Sequence, residues 1–388
     1  MVKLFFDIQV SGHHSEYLSH IINFIVDDVQ NCDDEFIFVV NTNFFKHFPE
    51  ITEKSKGIQN IKLFPISPEE QKEEVENQNI LIKSFVYYRI MNLYAKRFRV
   101  DHAYLLDFNI FQIPLIFYRS NYDLSGILFL QFTRINRDSL KSKLKYYRKY
   151  FITKLYLNNP RIKKIFILND IQSKHFLNNH FTTKKFEVLP DPIPQYEPLN
   201  DFNINKFYNI EKTRKIFLHI GSLGNRKGTF ELIESLDFLE SSIQQKICLL
   251  LVGKPESNFA ESTIKNLIKT NAESRKTKIV WENNFISNRM MKSLFQQCDA
   301  VILPYKNPES SSGILGHAIA SNKPVLCTGQ GLLKELVESN DLGLLLSEVS
   351  PSEIAKSIKS LMVYTPKYSN KNFLSEHTPS IFAKILIN

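Results

Sequence analysis

The sequence predicts an α/β protein of two doubly wound lobes, each built on a parallel sheet, facing one another across a cleft. Three observations lead there. Short apolar runs alternate with amphipathic stretches along all 388 residues, and strands apolar on both faces are what a parallel sheet covered by helices requires. The alternation is interrupted at FEVLPDPIPQYEPLN (186–200), where four prolines fall between Leu189 and Leu199. Proline cannot join a central strand or continue a helix, so this segment reads as a linker. The length, at about 150 residues per domain, suits two large domains that bury their own cores.

Taken in order, VKLFFDI (2–8) reads as a buried strand. SEYLSHIINFIVDD (15–28) reads as a helix with Tyr17, Ile21, Phe24 and Ile25 on one face. EFIFVVN, NIKLFPI, HAYLLDF, GILFLQF and KKIFILN follow as candidate strands, with helical stretches between most of them. Beyond the prolines a second series opens at KIFLHIG (215–221) and continues through ICLLLVG, KIVWENN, AVILPY, PVLCTG and GLLL. The expected organisation is a first lobe at 1–190, a linker at 191–213, a second lobe at 214–365, and a helical segment at 366–388 that packs back on the first lobe. In two such sheets ligands sit beyond the carboxyl ends of the strands, so functional residues belong in the loops that open helices.

Composition narrows the class. Hydrophobic residues at 43% and charged residues at 23% describe a globular chain, and 12 glycines exclude a collagen-like one. The net charge of +9 favours an anionic partner. Cys32, Cys248, Cys298 and Cys327 form no CxxC pair, so neither a disulfide framework nor a zinc site is expected, and free thiols suit a reducing compartment. MVKLFFDIQVSGHH has too short an apolar stretch for a signal peptide, and no run of 18 apolar residues is present. The expectation is a cytoplasmic protein that touches the inner face of the cell membrane.

Two blocks carry chemistry. In DAVILPYKNPESSSGILGHAIASNKPVLCTGQGLLKELVE (299–338) a strand ends at Pro304 and a polar loop leads into the helix GILGHAIAS. Ser311, Ser312 and Gly313 stand at its start, where free N–H groups and the helix dipole favour an anion. A plain serine-capped helix is the other reading. In HIGSLGNRKGTFELIESL (219–236), Gly221, Gly224 and Gly228 permit tight turns, and Arg226 and Lys227 precede the next helix. The spacing is neither GxGxxG nor a P-loop, which disfavours a dinucleotide or Walker-type site. The cations can pair with phosphoryl oxygens, or they belong to a solvated turn.

Together the blocks resemble the C-terminal lobe of the retaining family-4 glycosyltransferases, which have the GT-B fold of two Rossmann-like lobes. HIGSLGNRKG is similar to that family's "GR…KG" turn, and PESSSGILGHAIASNKPVLCTGQGLLKELV to its spaced pair of glutamates, small-residue helix and "PV". The likeness covers roughly 215–346, and FISNRMMKSLFQQCDAVILPY (285–305) resembles the approach to the second motif. It implies that Glu309 contacts hydroxyls of the transferred sugar and that Lys227 binds phosphate. It further implies that the backbone of Ser311, Ser312 and Gly313 holds the diphosphate and that Phe285 lies near the base. His317 stands where the second glutamate, the ribose contact, would be, and Ser222 stands beside Gly221 in place of the family's arginine, with Arg226 able to compensate.

In the first lobe the family's glycine loop after the opening strand corresponds to VSGHHSEY, with Gly12 the match and His13 and His14 facing acceptor or phosphate. The family often has a histidine near the reacting sugar, where Thr133 and Arg134 end GILFLQFTR here. Asp107, after HAYLLDF, is either a cleft residue or a helix N-cap, the N-cap being preferred. The stretch 134–164 holds eleven Lys or Arg against one Asp, with Tyr146, Tyr147, Tyr150, Phe151, Leu155 and Tyr156 among them. It suits an anionic membrane surface, a solvated helical face being the plainer alternative; no nucleic-acid motif accompanies it.

The resemblance thus implies a metal-independent retaining transferase. It would use a UDP- or GDP-linked sugar as substrate, with no cofactor, and a glycan or lipid-linked acceptor in surface polysaccharide or lipopolysaccharide assembly. Two alternatives stay open. One is a sugar-nucleotide epimerase of the same fold, which TGQGLLKELVE faintly resembles. The other is a catalytically silent subunit that binds a partner or membrane.

Overall fold

The structure, a computed structural model, describes all residues except 10–13, 30–31, 77–78, 271, 273–274, 307–310 and 366–370, and the backbone alone of His14 and Lys371. The chain divides into two units: Met1–Asp191 with Pro379–Asn388, and Pro192–Thr378.

The first unit is a seven-stranded parallel sheet of β1 (Val2–Asp7), β2 (Glu35–Val40), β3 (Ile61–Pro65), β4 (His102–Leu105), β5 (Asp123–Ile127), β6 (Ile162–Leu168) and β7 (Phe186–Leu189). Their order is β3-β2-β1-β4-β5-β6-β7. Because successive side chains alternate, β1 sends Leu4 and Phe6 into one core and Phe5 into the other. Phe5 stacks on Phe38 and on Tyr104 at 4.8 Å beneath the helices His14–Phe24 and Pro379–Ile387. The opposite face is covered by helices Ile80–Arg97, Phe108–Phe111, Pro114–Phe117 and Leu140–Tyr156.

Two sequence expectations shift here. GILFLQF (126–132) is not the strand; β5 starts at Asp123 and ends at Ile127. Register decides this: Asp123–Gly126 lie beside His102–Leu105, and Gly126 sits so close that a Cβ there would come 2.6 Å from the Leu105 carbonyl oxygen. The chain then leaves the sheet, and the Phe129 and Leu130 N–H groups donate to the Asn109 side chain. Residues 186–189, read as linker, form the edge strand β7, which stops at the first proline, Pro190.

The second unit is a six-stranded parallel sheet of β8 (Lys215–Ile220), β9 (Ile247–Val252), β10 (Lys278–Glu282), β11 (Ala300–Leu303), β12 (Val325–Thr328) and β13 (Gly343–Leu346), in the order β10-β9-β8-β11-β12-β13. The segment expected to be the linker, 191–213, is a strap on this unit from Pro192 onward. Ile193 packs against Gly316. The Leu199 N–H donates to Ser293 Oγ at 2.8 Å and the Ile204 N–H to Gln297 Oε1 at 2.8 Å. Ile204 and Ile210 are buried in its core. Phe373 and Leu374, in the helix Lys371–Glu376, pack on the same core. The boundaries therefore fall at 191/192 and 378/379. Burial pushes the Cys248, Cys298 and Cys327 thiols up to about 12, so these cysteines serve as packing groups.

Candidate functional site

An open parallel sheet offers a crevice where its strand order reverses, because the loops leaving the two adjacent strands there run to opposite faces. In the second unit that point lies between β8 and β11. The loops that follow them, 221–228 and 304–312, are the two blocks singled out in the sequence.

The first loop is built on a buried polar chain. His219, fully buried, has Nδ1 2.8 Å from the Ile302 carbonyl oxygen and Nε2 2.9 Å from Thr229 Oγ1. A carbonyl only accepts, so Nδ1 carries the hydrogen and Nε2 accepts from the Thr229 hydroxyl. Thr229 Oγ1 in turn accepts the Gly224 N–H at 3.0 Å. Burial holds the His219 imidazole down to about 4, so the ring is neutral in this role. Gly228, at φ +66°, brings the turn within 2.1 Å, measured from an imagined Cβ, of the Pro304 carbonyl oxygen. The Lys306 N–H donates to the Arg226 carbonyl oxygen at 3.1 Å. The two loops are thereby stitched together.

Lys227 is the chemical centre of this arrangement. It closes the short helix Asn225–Lys227 and is only 7% exposed. Its ammonium donates to the Ile220 carbonyl oxygen at 3.1 Å and the Tyr305 hydroxyl at 3.2 Å, and lies 5.0 Å from the Tyr305 ring centre. Gly221, at φ +125°, leaves the room: a Cβ there would come 2.2 Å from Lys227 Nζ. Among the described residues the partners of this ammonium are the Ile220 carbonyl and Tyr305, and no carboxylate pairs with it. A buried cation without a counter-charge is costly, and an anion seated beside it relieves that cost. The neighbouring Lys306 is committed to Glu231 and to Asn225 Oδ1. Arg226 and Ser222 are exposed.

The second loop delivers the helix Gly313–Ala320. Ser312 is its N-cap at φ −132°, ψ 112°, yet its side chain makes no capping bond. The N–H groups of Gly313 and Ile314 have, by position, no intrahelical acceptor. Ser311, half-buried, stands just before them, and Glu309 lies outside the described residues. His317 occupies the next turn, its ring 6.0 Å from Tyr196 and 5.6 Å from Phe295. Phe285, 88% exposed, follows β10 at the same carboxyl edge of the sheet, two strands from β8.

In the first unit the strand order reverses between β1 and β4. Gly12 and His13, after β1, lie outside the described residues, and His14 opens the helix His14–Phe24. Asp107, after β4, caps Phe108–Phe111 by accepting the Asn109 N–H at 3.0 Å, and its other oxygen accepts from Gln9 Nε2 at 2.6 Å. The capping role is present, and the carboxylate also ties the loop after β1 to the loop after β4. Thr133 and Arg134 belong to a separate cluster after β5. Thr133 Oγ1 contacts Gln131 Oε1 and Ser173 Oγ, both at 2.5 Å. Arg134 forks onto Asp170 at 2.6 and 2.7 Å, and Asp170 caps the helix Ile171–His180.

Sequence reading missed Tyr305, the His219–Thr229 pair and Asp170. Tyr305 follows a strand like many core aromatics, and His219 sits inside an apolar run. Only the Thr placed directly after the KG turn hinted at a hydroxyl partner.

Residues 200–371 match the family described as glycosyl transferases group 1. The match spans both stitched loops. Among solved structures, WaaG, a glycosyltransferase involved in lipopolysaccharide biosynthesis, is similar at TM-score 0.62 and 13% identity, covering 100% of this chain and 94% of that one. HepE of Anabaena, in complex with UDP and glucose, gives 0.63 at 15% identity, with 100% and 94% covered. The UDP-forming α,α-trehalose-phosphate synthase of Burkholderia vietnamiensis gives 0.67 at 9%, with 100% and 98% covered. At such identities the likeness is one of fold: α/β, with two Rossmann-like parallel sheets, as in GT-B glycosyltransferases. No protein of curated function matches the chain by sequence.

Proposed function

We propose that the glycosyl transferases group 1 domain at residues 200–371 makes this chain an enzyme that moves a sugar from a nucleotide-sugar donor to an acceptor. The observation that carries the reading is the Lys227 ammonium, buried without a carboxylate among the described residues and bonded to Tyr305 on the segment that precedes the helix Gly313–Ala320, whose N-cap Ser312 makes no side-chain capping bond. A donor diphosphate supplies the missing negative charge through charge-assisted hydrogen bonds. When the bond from the sugar to the diphosphate breaks, charge grows on the leaving phosphoryl oxygen. Lys227, the exposed Arg226 and the amides at 311–313 then hold more charge than in the ground state, which lowers the barrier. Glu309 would orient the sugar hydroxyls, and His317 and Phe285 the ribose and base.

Within this reading the enzyme is of the family-4 type, retaining and metal-independent. The acceptor hydroxyl attacks on the face the diphosphate leaves, its proton passes to the departing phosphate oxygen, and Lys227 supplies the cationic charge. UDP is the preferred donor nucleotide, with GDP second; the UDP and glucose bound by the Anabaena protein support that order. Acceptor recognition is assigned to the loops after β1 and β4, with Gly12, His13, His14 and Asp107. The acceptor is a glycan or lipid-linked saccharide of surface polysaccharide or lipopolysaccharide assembly, a setting supported by the WaaG likeness. It is met on the cytoplasmic face of the membrane, with 134–164 as the contact.

Thermal unfolding with UDP, GDP, ADP and CMP tests this. A ligand at 100 times its Kd stabilises by about 2.7 kcal/mol, so one of UDP and GDP raises Tm by several degrees. Lys227→Met abolishes the rise. A full response in that variant refutes the site.

A further inference from the structure

Exposed apolar side chains gather on three helices of the first unit that the candidate site does not use. Helix Leu140–Tyr156 turns Leu140, Leu144, Tyr147, Phe151 and Leu155 to solvent, with Leu140 86% and Leu144 73% exposed. That spacing draws one stripe down a helix. Its inner side is already packed, with Tyr156 buried and Tyr146 and Tyr150 edge-on to Phe132. The outer stripe is therefore a second apolar face that the core does not consume.

Helix Ile80–Arg97 repeats the device: Ile82, Phe85, Arg89, Leu93 and Lys96 are exposed at helical spacing. The short helix Pro114–Phe117 touches both longer helices. It adds Phe117, 69% exposed, and the following Tyr118, which meets Phe85 at 6.2 Å and stacks on Tyr88 at 5.1 Å. All three helices cover the same face of the sheet.

The two longer helices carry charge of one sign, although Lys83 and Arg89 are paired with Glu74 and Glu73 of the neighbouring helix Pro68–Glu76. Ile80–Arg97 and Leu140–Tyr156 together carry ten Lys or Arg and no Asp or Glu. Two concavities open between these cations. A groove of about 800 Å³ has Tyr88, Tyr118 and Tyr122 in its wall and Lys96, Arg99 and Arg119 around it. A basin of about 450 Å³ at the start of Leu140–Tyr156 is lined by Ser139, Lys141, Lys145 and Arg148 among others.

We infer that these three helices form one surface that lies in the interfacial layer of an anionic lipid bilayer, with lipid phosphates seated in the two concavities. The inference rests on the membrane contact proposed above for 134–164 and extends it to two further helices and to the aromatic groove. Burying Leu, Phe and Tyr at the boundary of headgroups and acyl chains is rewarded in a bilayer and unrewarded along a nucleic-acid backbone. With Lys83 and Arg89 neutralised by Glu74 and Glu73, the remaining cations of Leu140–Tyr156 and of the groove still outnumber the acids and match a negative leaflet. Among the described residues no helix is long and apolar enough to cross a membrane, so contact lies in the plane of the surface.

Sedimentation of the full chain with vesicles of phosphatidylcholine, with and without 30% phosphatidylglycerol as the probe, tests the inference. Binding is expected to the anionic vesicles and at least tenfold weaker to the neutral ones. Leu144→Ser with Phe151→Ser lowers it about tenfold or more, and Arg99→Ser with Arg119→Ser by about fivefold per cation removed. Melting temperature and the nucleotide response stay unchanged in both pairs, since the replaced side chains are exposed and outside the nucleotide site. If the Arg99 and Arg119 pair binds normally while the Leu144 and Phe151 pair does not, the three-helix surface is overturned and the contact through 134–164 survives. If wild type ignores anionic vesicles, or binds an RNA oligonucleotide instead, both fall, whatever the nucleotide response shows.

Discussion

Lys227 and Gly221 work as a pair. The glycine's missing Cβ is the space in which the ammonium sits, and its φ of +125° is one that other residues rarely adopt. Gly221→Ala should cost about 2 kcal/mol in stability and, by pushing Nζ aside, weaken the Tm rise given by UDP or GDP. Ser222→Ala, at an exposed position, should leave the stability unchanged. His219 gives a pH signature. Its pKa falls from 6.5 to about 4 on burial, so between those values the unfolded chain binds a proton that the folded chain does not. The stabilisation is complete above pH 6.5, declines as pH falls, and at pH 4 is lower by ~3 kcal/mol. His102, also lowered to about 4 by burial, acts in the same direction. Replacing His219 with glutamine should flatten the fall of Tm between pH 6.5 and 4 relative to wild type, checked by calorimetry across that window.

At the scale of elements, the helix Pro379–Ile387 is decisive for the first unit. Phe382, Ala383, Leu386 and Ile387 are buried, Phe382 lies 4.8 Å from Tyr17, and the Tyr104 hydroxyl donates to the Ile387 carbonyl oxygen at 2.9 Å. Removing residues 379–388 opens this core beside Phe5 and Tyr104, and several buried apolar side chains at about 2 kcal/mol each approach the whole stability of a domain. The expected result is an unfolded or aggregated first unit, read from near-ultraviolet circular dichroism.

The same scale shows what the sequence could disclose. All six strands of the second unit stand in apolar runs visible in the chain: the central ones are buried on both faces, and the half-buried edge strands β10 and β13 keep enough apolar residues to show. β5 escaped because Ser125 and Gly126 sit where close packing against Leu105, not hydrophobicity, chooses the residue. β7 escaped because four residues beside a proline cluster carry little pattern. In the site, Lys227 and the 311–313 helix start were legible from motif spacing. Tyr305 and the His219–Thr229 link were not, since they arise from strands and loops brought together by sheet order. Arg134 was legible as a cation, but its Asp170 partner lies on another helix and ties it to structure.

For the molecule as a whole, the second unit is an insertion in the first: the chain passes from one to the other at 191/192 and returns at 378/379. The second unit is contiguous and contains both stitched loops, so residues 192–378 produced alone should melt cooperatively and keep the nucleotide-dependent rise in Tm. Residues 1–191 alone lack the helix that seals their core and should behave like the truncated full chain.

That return of the chain imposes an order on synthesis. A ribosome releases the whole inserted unit before the residues that close the first one emerge. The earlier-made half must therefore wait, with Phe5, Tyr17 and Tyr104 uncovered, while the later-made half is free to finish folding. Chaperone capture of nascent chains stalled before residue 379 should exceed capture of completed ones.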